Sequence, residues 1–96
     1  MAEGIQFPVY VLAKDCGEFT EYYSLQDMRR YLEAIDVEAN EYDAWDAEGY
    51  VVHLIATDLK REWLRLERAD AKISEQQLVE IRANAIPYGR RPRANG

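Results

Sequence analysis

The feature that most constrains this chain is the pentapeptide Asp46-Ala47-Glu48-Gly49-Tyr50, set between two segments of alternating apolar residues. It has the form of a three-residue hairpin loop, in which a type I turn is followed by glycine in the left-handed region and a G1 bulge results. If Asp46 opposes Tyr50, the period-two alternation of strand side chains sets Ala44 against Val52 and Tyr42 against Leu54. A second turn at Asp58-Leu59-Lys60 then sets Leu54 against Leu64 and Val52 against Leu66. One face of this meander carries Tyr42, Ala44, Val52, Leu54, Ala56, Leu64 and Leu66, and a slip of one residue would mix that face with acids.

The opposite face holds Trp45 across from Val51, and Ile55 across from Trp63, with His53 between them. Glu41, Asp43, Arg61, Arg65 and Glu67 rim it. A helix could cover this centre and make the tryptophans core, or the patch could be a surface that another molecule covers. Two helices are expected for a sheet of five strands. If both pack on the aliphatic face, the tryptophan face stays open.

The flanking segments supply the rest of the domain. Ile5 to Lys14 reads as a strand, placed at an outer position because Pro8 near its start lacks a donor. Lys14-Asp15-Cys16-Gly17-Glu18 repeats the turn pattern and leads into a short strand, Phe19 to Tyr23. Ser24-Leu25-Gln26-Asp27 has the form of a capping box. Leu25, Met28, Leu32 and Ile35 recur along one face of the helix that follows, with Arg29 and Glu33 paired outside. Asp36 to Asn40 breaks the pattern. Ser74-Glu75-Gln76-Gln77 is a second capping box with Ile73 and Leu78 as its staple, opening a helix whose stripe is Leu78, Ile81 and Ala85. The Arg82 stem lies along the sheet with its head reaching out, and Pro87 closes the helix. The expectation is one two-layer α+β domain over 1–87, in the order ββαβββα with a mainly antiparallel sheet, followed by a disordered basic tail over 88–96.

Charge narrows the function. The chain carries a net charge of −6, and it is uneven: Asp15 to Glu48 holds eleven acids against Arg29 and Arg30, whereas Lys60 to Arg93 is net basic. An acidic whole disfavours general nucleic-acid binding, in which phosphate neutralisation supplies most of the affinity, and favours a cationic partner. The lone Cys16 has no internal disulfide partner. The N-terminus lacks a secretory pattern, and no stretch is long and apolar enough to span a bilayer. A cytoplasmic setting is expected, with no membrane partner.

The chemistry of catalysis is missing from the pattern. His53 is the sole histidine, mid-strand between Val51 and Ile55, and there is no phosphate loop or nucleophile elbow. Cys16 has no neighbouring base in sequence to activate it. Asp43, Asp46 and Glu48 do not have the spacing of a calcium loop. No enzyme activity, metal or cofactor is expected. The reading is a non-catalytic protein-interaction module that inhibits or neutralises a basic partner, analogous in charge and size, not in motif, to the immunity proteins paired with bacterial toxins. Its partner surface comprises Glu41, Asp43, Trp45, Asp46, Glu48, Val51, His53, Ile55 and Trp63. Two alternatives stand beside it: an adaptor that forms a homodimer through the tryptophan face, and a nucleic-acid accessory protein using Arg90, Arg91 and Arg93.

Overall fold

The computed structural model describes residues 4–61 and 63–89. Along the chain run β1 (Val9–Ala13), β2 (Glu18–Tyr22), α1 (Leu25–Tyr31), α2 (Ala34–Glu38), β3 (Tyr42–Trp45), β4 (Tyr50–Asp58), β5 (Trp63–Lys72), α3 (Glu75–Asn84) and β6 (Ile86–Pro87). The class is α+β, and the six strands form one sheet in the order β5-β4-β3-β1-β2-β6. All neighbours are antiparallel except β2 and β6, which pair in parallel at Thr20↔Ile86 and Glu21↔Pro87, so the sheet is mixed. No helix among the described residues is long and apolar enough to cross a membrane.

The hairpin at Gly49 forms as its sequence implies. Gly49 has φ +93°, Trp45 faces Val51, and the Asp46 amide donates to the Tyr50 carbonyl at 2.9 Å. The next hairpin keeps its face but not its register. Leu54 faces Leu66 and Ala56 faces Leu64, a displacement of two residues from the expected partners. A shift of two preserves side-chain parity, so Leu64 and Leu66 are still fully buried. The pairing is irregular at both ends, between Tyr50 and Val52 and between Ala56 and Asp58. Ile55 consequently faces Arg65, and Trp63 faces Asp58 instead of Ile55.

The first strand is interior, not outer: β1 lies between β3 and β2. Val9 and Val11 point into one core cluster and Tyr10 into another on the opposite face, so the unbroken apolar run is that of a strand buried on both sides. Pro8 precedes the first ladder pair and costs it no donor.

The helices also depart from expectation. Ser24 accepts from the Asp27 amide at 3.1 Å and starts α1, but the helix stops at Leu32, whose backbone is extended. A short α2 follows, burying Ala34 and Val37 and leaving Ile35 outside. The described residues thus hold three helices, not the expected two. In place of the expected Glu33 pair, Arg29 donates to the Leu64 carbonyl and lies over the Trp63 ring. α1 and α2 cover the aliphatic face, where Met28, Leu32, Ala34 and Val37 join Val9, Val52, Leu64 and Leu66.

α3 adds a layer on the opposite face, packing Leu78 and Ile81 on Tyr10 with Phe19, Trp45 and Ile73 around them. Its capping box is complete, with Ser74 and Gln77 reciprocally bonded, and the Arg82 head donates to the Ala47 carbonyl at 2.7 Å. After α3 the chain enters β6. Tyr88, expected at the head of a tail, donates its amide to the Glu21 carbonyl and packs its ring 5.3 Å from that of Tyr22. Arg90, Arg91 and Arg93 lie outside the described residues.

Candidate functional site

The expected partner residues do not share one surface. Asp46 is fully buried and serves the turn. Its Oδ1 accepts from the amides of Glu48 (2.9 Å) and Tyr50 (3.0 Å), and its Oδ2 accepts from that of Gln6 at 3.3 Å. Its carbonyl accepts from Gly49. An acid with its oxygens engaged by backbone donors is structural, so Asp46 leaves the candidate surface. Glu48 is exposed on the same turn, whose Ala47 carbonyl accepts from Arg82, and it does not line the space that Glu41 lines.

The tryptophan face is discontinuous. Trp45 is half-buried, 6.1 Å from Phe19 and beneath α3, whereas Trp63 stands 51% exposed at the sheet edge with the Arg29 guanidinium over its ring. His53, Arg65 and Glu67 lie between them, with His53 opposite Glu67 and Ile55 opposite Arg65.

Asp43, Trp45, Val51 and His53 do come together. β3 and β4 form a ladder pair only at Trp45↔Val51 and then part, opening a cleft of about 430 Å³ that Lys14 and Asn40 also line. Within it Lys14 and Asp43 form an exposed ion pair at 3.4 Å, so this cleft presents both signs of charge.

The concentrated negative charge lies one step away, and three local structures assemble it. The first is the β1–β2 turn, where the Gly17 amide closes onto Ala13 at 2.8 Å and Gly17 takes φ +73°; this turn presents Asp15. The second is the end of α2. Asn40 adopts φ +60°, a conformation that asparagine tolerates better than most residues. The Asn40 amide then bonds the Val37 carbonyl and the Glu41 amide bonds the Asp36 carbonyl, which is the Schellman closure. That closure fixes Glu41 beside Asp36. The third is the pairing of β1 with β3, whose register ends at Ala13↔Tyr42, bringing Tyr42 to the first turn.

The result is a cup of about 260 Å³ walled by Asp15, Asp36, Glu41, Glu18, Tyr31 and Tyr42, with no lysine or arginine among the described residues that line it. The Tyr42 hydroxyl registers this field. Its pKa is pushed up from the ordinary 10 to about 12, first by burial, then by Asp36, Glu33, Asp15 and Glu41, each of which disfavours a further negative charge. Among the described residues, no group of three or more His, Cys, Asp or Glu is placed to hold a metal ion. The carboxylates ring a space and do not converge on a point.

Of the residues anticipated from the sequence, only Glu41 lines this cup. Asp15, Glu18, Asp36, Tyr31 and Tyr42 were missed as a group, because they come from separate segments joined by strand order. The asparagine after a short helical stretch, Asn40, was the signal that could have paired Asp36 with Glu41. Comparison of the chain with protein-family models, with curated proteins and with solved structures finds no match.

Proposed function

We propose that the protein is a non-catalytic interaction module whose acidic cup receives a cationic segment of another protein. One observation carries this reading: Asp15 from the first turn, and Asp36 and Glu41 from the end of α2, line one open space together with Tyr31 and Tyr42. Carboxylates and aromatic faces together suit a guanidinium or ammonium group, which gains charge-assisted hydrogen bonds from the former and ring contact from the latter. The cup is also a site where like charges are crowded, and a cation relieves that repulsion on arrival. An inhibitor of a basic protein, of the kind that immunity proteins provide against toxins, is the biological role that fits such a surface. The adaptor reading through a tryptophan face is weaker, since Trp45 and Trp63 do not adjoin.

Titration with a short arginine-rich peptide, followed by amide NMR, tests the reading. Resonances of Asp15, Asp36, Glu41 and Tyr42 should move together and saturate, while an uncharged glycine-serine peptide leaves them in place. Shifts spread evenly over every acidic residue, including Glu48 and Glu75, would overturn it.

A further inference from the structure

β5 is an edge strand: β4 takes one side of it, and no described strand takes the other. It is ten residues long, and an open edge of that length is a template for strand addition. The direction of its backbone groups can be read from one contact. The Leu64 carbonyl accepts from Nε and an Nη of Arg29, at 3.2 and 2.8 Å, so it points away from β4. Residues two apart in an antiparallel ladder face the same way; Leu66 and Arg68 therefore direct their backbone N–H and C=O groups to the open side.

A second copy of this chain is the occupant that the edge itself specifies. Two identical antiparallel strands lying side by side are related by a twofold axis normal to the sheet. Facing side chains must share one side of the sheet, so the axis passes through a residue and never between two. Centred on Arg65, Glu67 or Arg68, the pairing sets identical charges against each other. Centred on Leu66, it sets Arg65 against Glu67 of the partner subunit and Glu67 against the partner's Arg65. Arg65 and Glu67 already pair within the chain at 3.0 Å, so the four groups close into a ring of alternating sign on the exposed face. The same register places Leu66 on the axis and Leu64 across from Arg68 of the partner subunit. The Leu64 oxygen already takes two Arg29 donors, so the amide of Arg68 of the partner subunit takes the place of one of them there.

We infer that the protein forms a twofold dimer by antiparallel pairing of β5 with β5 of a second copy, centred on Leu66 and selected by the reciprocal Arg65 and Glu67 pairs. This surface is separate from the acidic cup and does not depend on what the cup binds. An edge-to-edge contact buries little area, so the dimer is concentration-dependent.

Sedimentation velocity across the micromolar range is the test. Wild type should shift from monomer to dimer. Arg65→Glu alone and Glu67→Arg alone each turn both cross-strand pairs repulsive and should weaken association roughly tenfold or more. An equimolar mixture of the two variants restores opposite charges at both positions and should dimerise about as well as wild type, as should the double variant R65E/E67R. Hydrogen exchange on wild type adds an arm free of substitutions: the Leu66 and Arg68 amides should slow as protein concentration rises. A wild type that stays monomeric, single variants that dimerise normally, a mixture that does not recover, or Leu66 and Arg68 exchange unchanged on dimerisation would each overturn the inference.

Discussion

Replacing Asp46 by alanine isolates what holds the hairpin together. The carboxylate accepts from the amides of Glu48, Tyr50 and Gln6 at 2.9, 3.0 and 3.3 Å and is fully buried. A hydrogen bond to a charged acceptor contributes about 1.5–3 kcal/mol, and a donor left buried without a partner costs about 1–3 kcal/mol. The two shorter bonds dominate and the third is long, so Asp46→Ala should cost about 3–5 kcal/mol. That is a large share of the roughly 5–15 kcal/mol by which a domain of this kind is stable. At about 4–8 °C per kcal/mol for a chain of this length, the melting midpoint should fall by more than about 12 °C. Asp46→Asn separates the oxygens: its amide oxygen can still serve Glu48 and Tyr50, but its NH2 then faces the Gln6 donor, and the loss should be only about 1–2 kcal/mol. Urea unfolding followed by the emission of Trp45, one residue before the turn, measures both. An Asp46→Ala variant within about 1 kcal/mol of wild type, or an asparagine variant as damaged as the alanine one, would refute this account of the turn.

Other outcomes are equally specific. Gly49→Val should destabilise by at least about 1 kcal/mol, because φ is +93° and an added Cβ meets Ile73 at 3.3 Å and Leu78 at 3.5 Å; an unshifted urea midpoint would contradict it. Tyr42 should ionise only near pH 12, giving a late component in an ultraviolet titration that Tyr42→Phe removes. Because its folded pKa lies above the ordinary 10, its contribution to stability is fully present below about pH 10 and fades as pH rises toward about 12, so wild type should lose stability relative to Tyr42→Phe across that window. Acrylamide should quench Trp63 strongly and Trp45 weakly, which the single variants Trp45→Phe and Trp63→Phe resolve. Arg29→Ala should alter the Trp63 emission while leaving that of Trp45 unchanged.

Local structure was legible in the sequence where a single residue type decides it. Ser24, Ser74 and Gly49 each occupy the role that their chemistry assigns, and the face shared by Leu54, Leu64 and Leu66 followed from alternation alone. The register of the second hairpin was not legible, since a shift of two residues leaves every side chain on its original face. Pro8 misdirected the placement of the first strand: a proline ahead of the ladder says nothing about its edges, while the continuous run Val9-Tyr10-Val11 already marked burial on both sides. β6 spans only two residues and offers no period to detect. The acidic cup depends on β1 entering the sheet between β3 and β2, which brings Asp15 to Asp36 and Glu41. A count of charge along the chain pointed to the Gly49 hairpin, yet its central acid, Asp46, is buried, and Glu48 lies outside the cup.

Whether the cup is the binding surface is tested most directly by removing two acids at a time, from the cup or from elsewhere, so that the two variants have equal net charge. A fluorescent tetra-arginine peptide would be titrated at low ionic strength with wild type, with Asp36→Asn/Glu41→Gln, and with Glu48→Gln/Glu80→Gln, each shown to be folded by circular dichroism. The cup variant should lose roughly tenfold or more in affinity, and the control pair less than about twofold, with the wild-type affinity itself falling as salt is added. Equal losses for the two variants, or binding indifferent to salt, would contradict a localised acidic site.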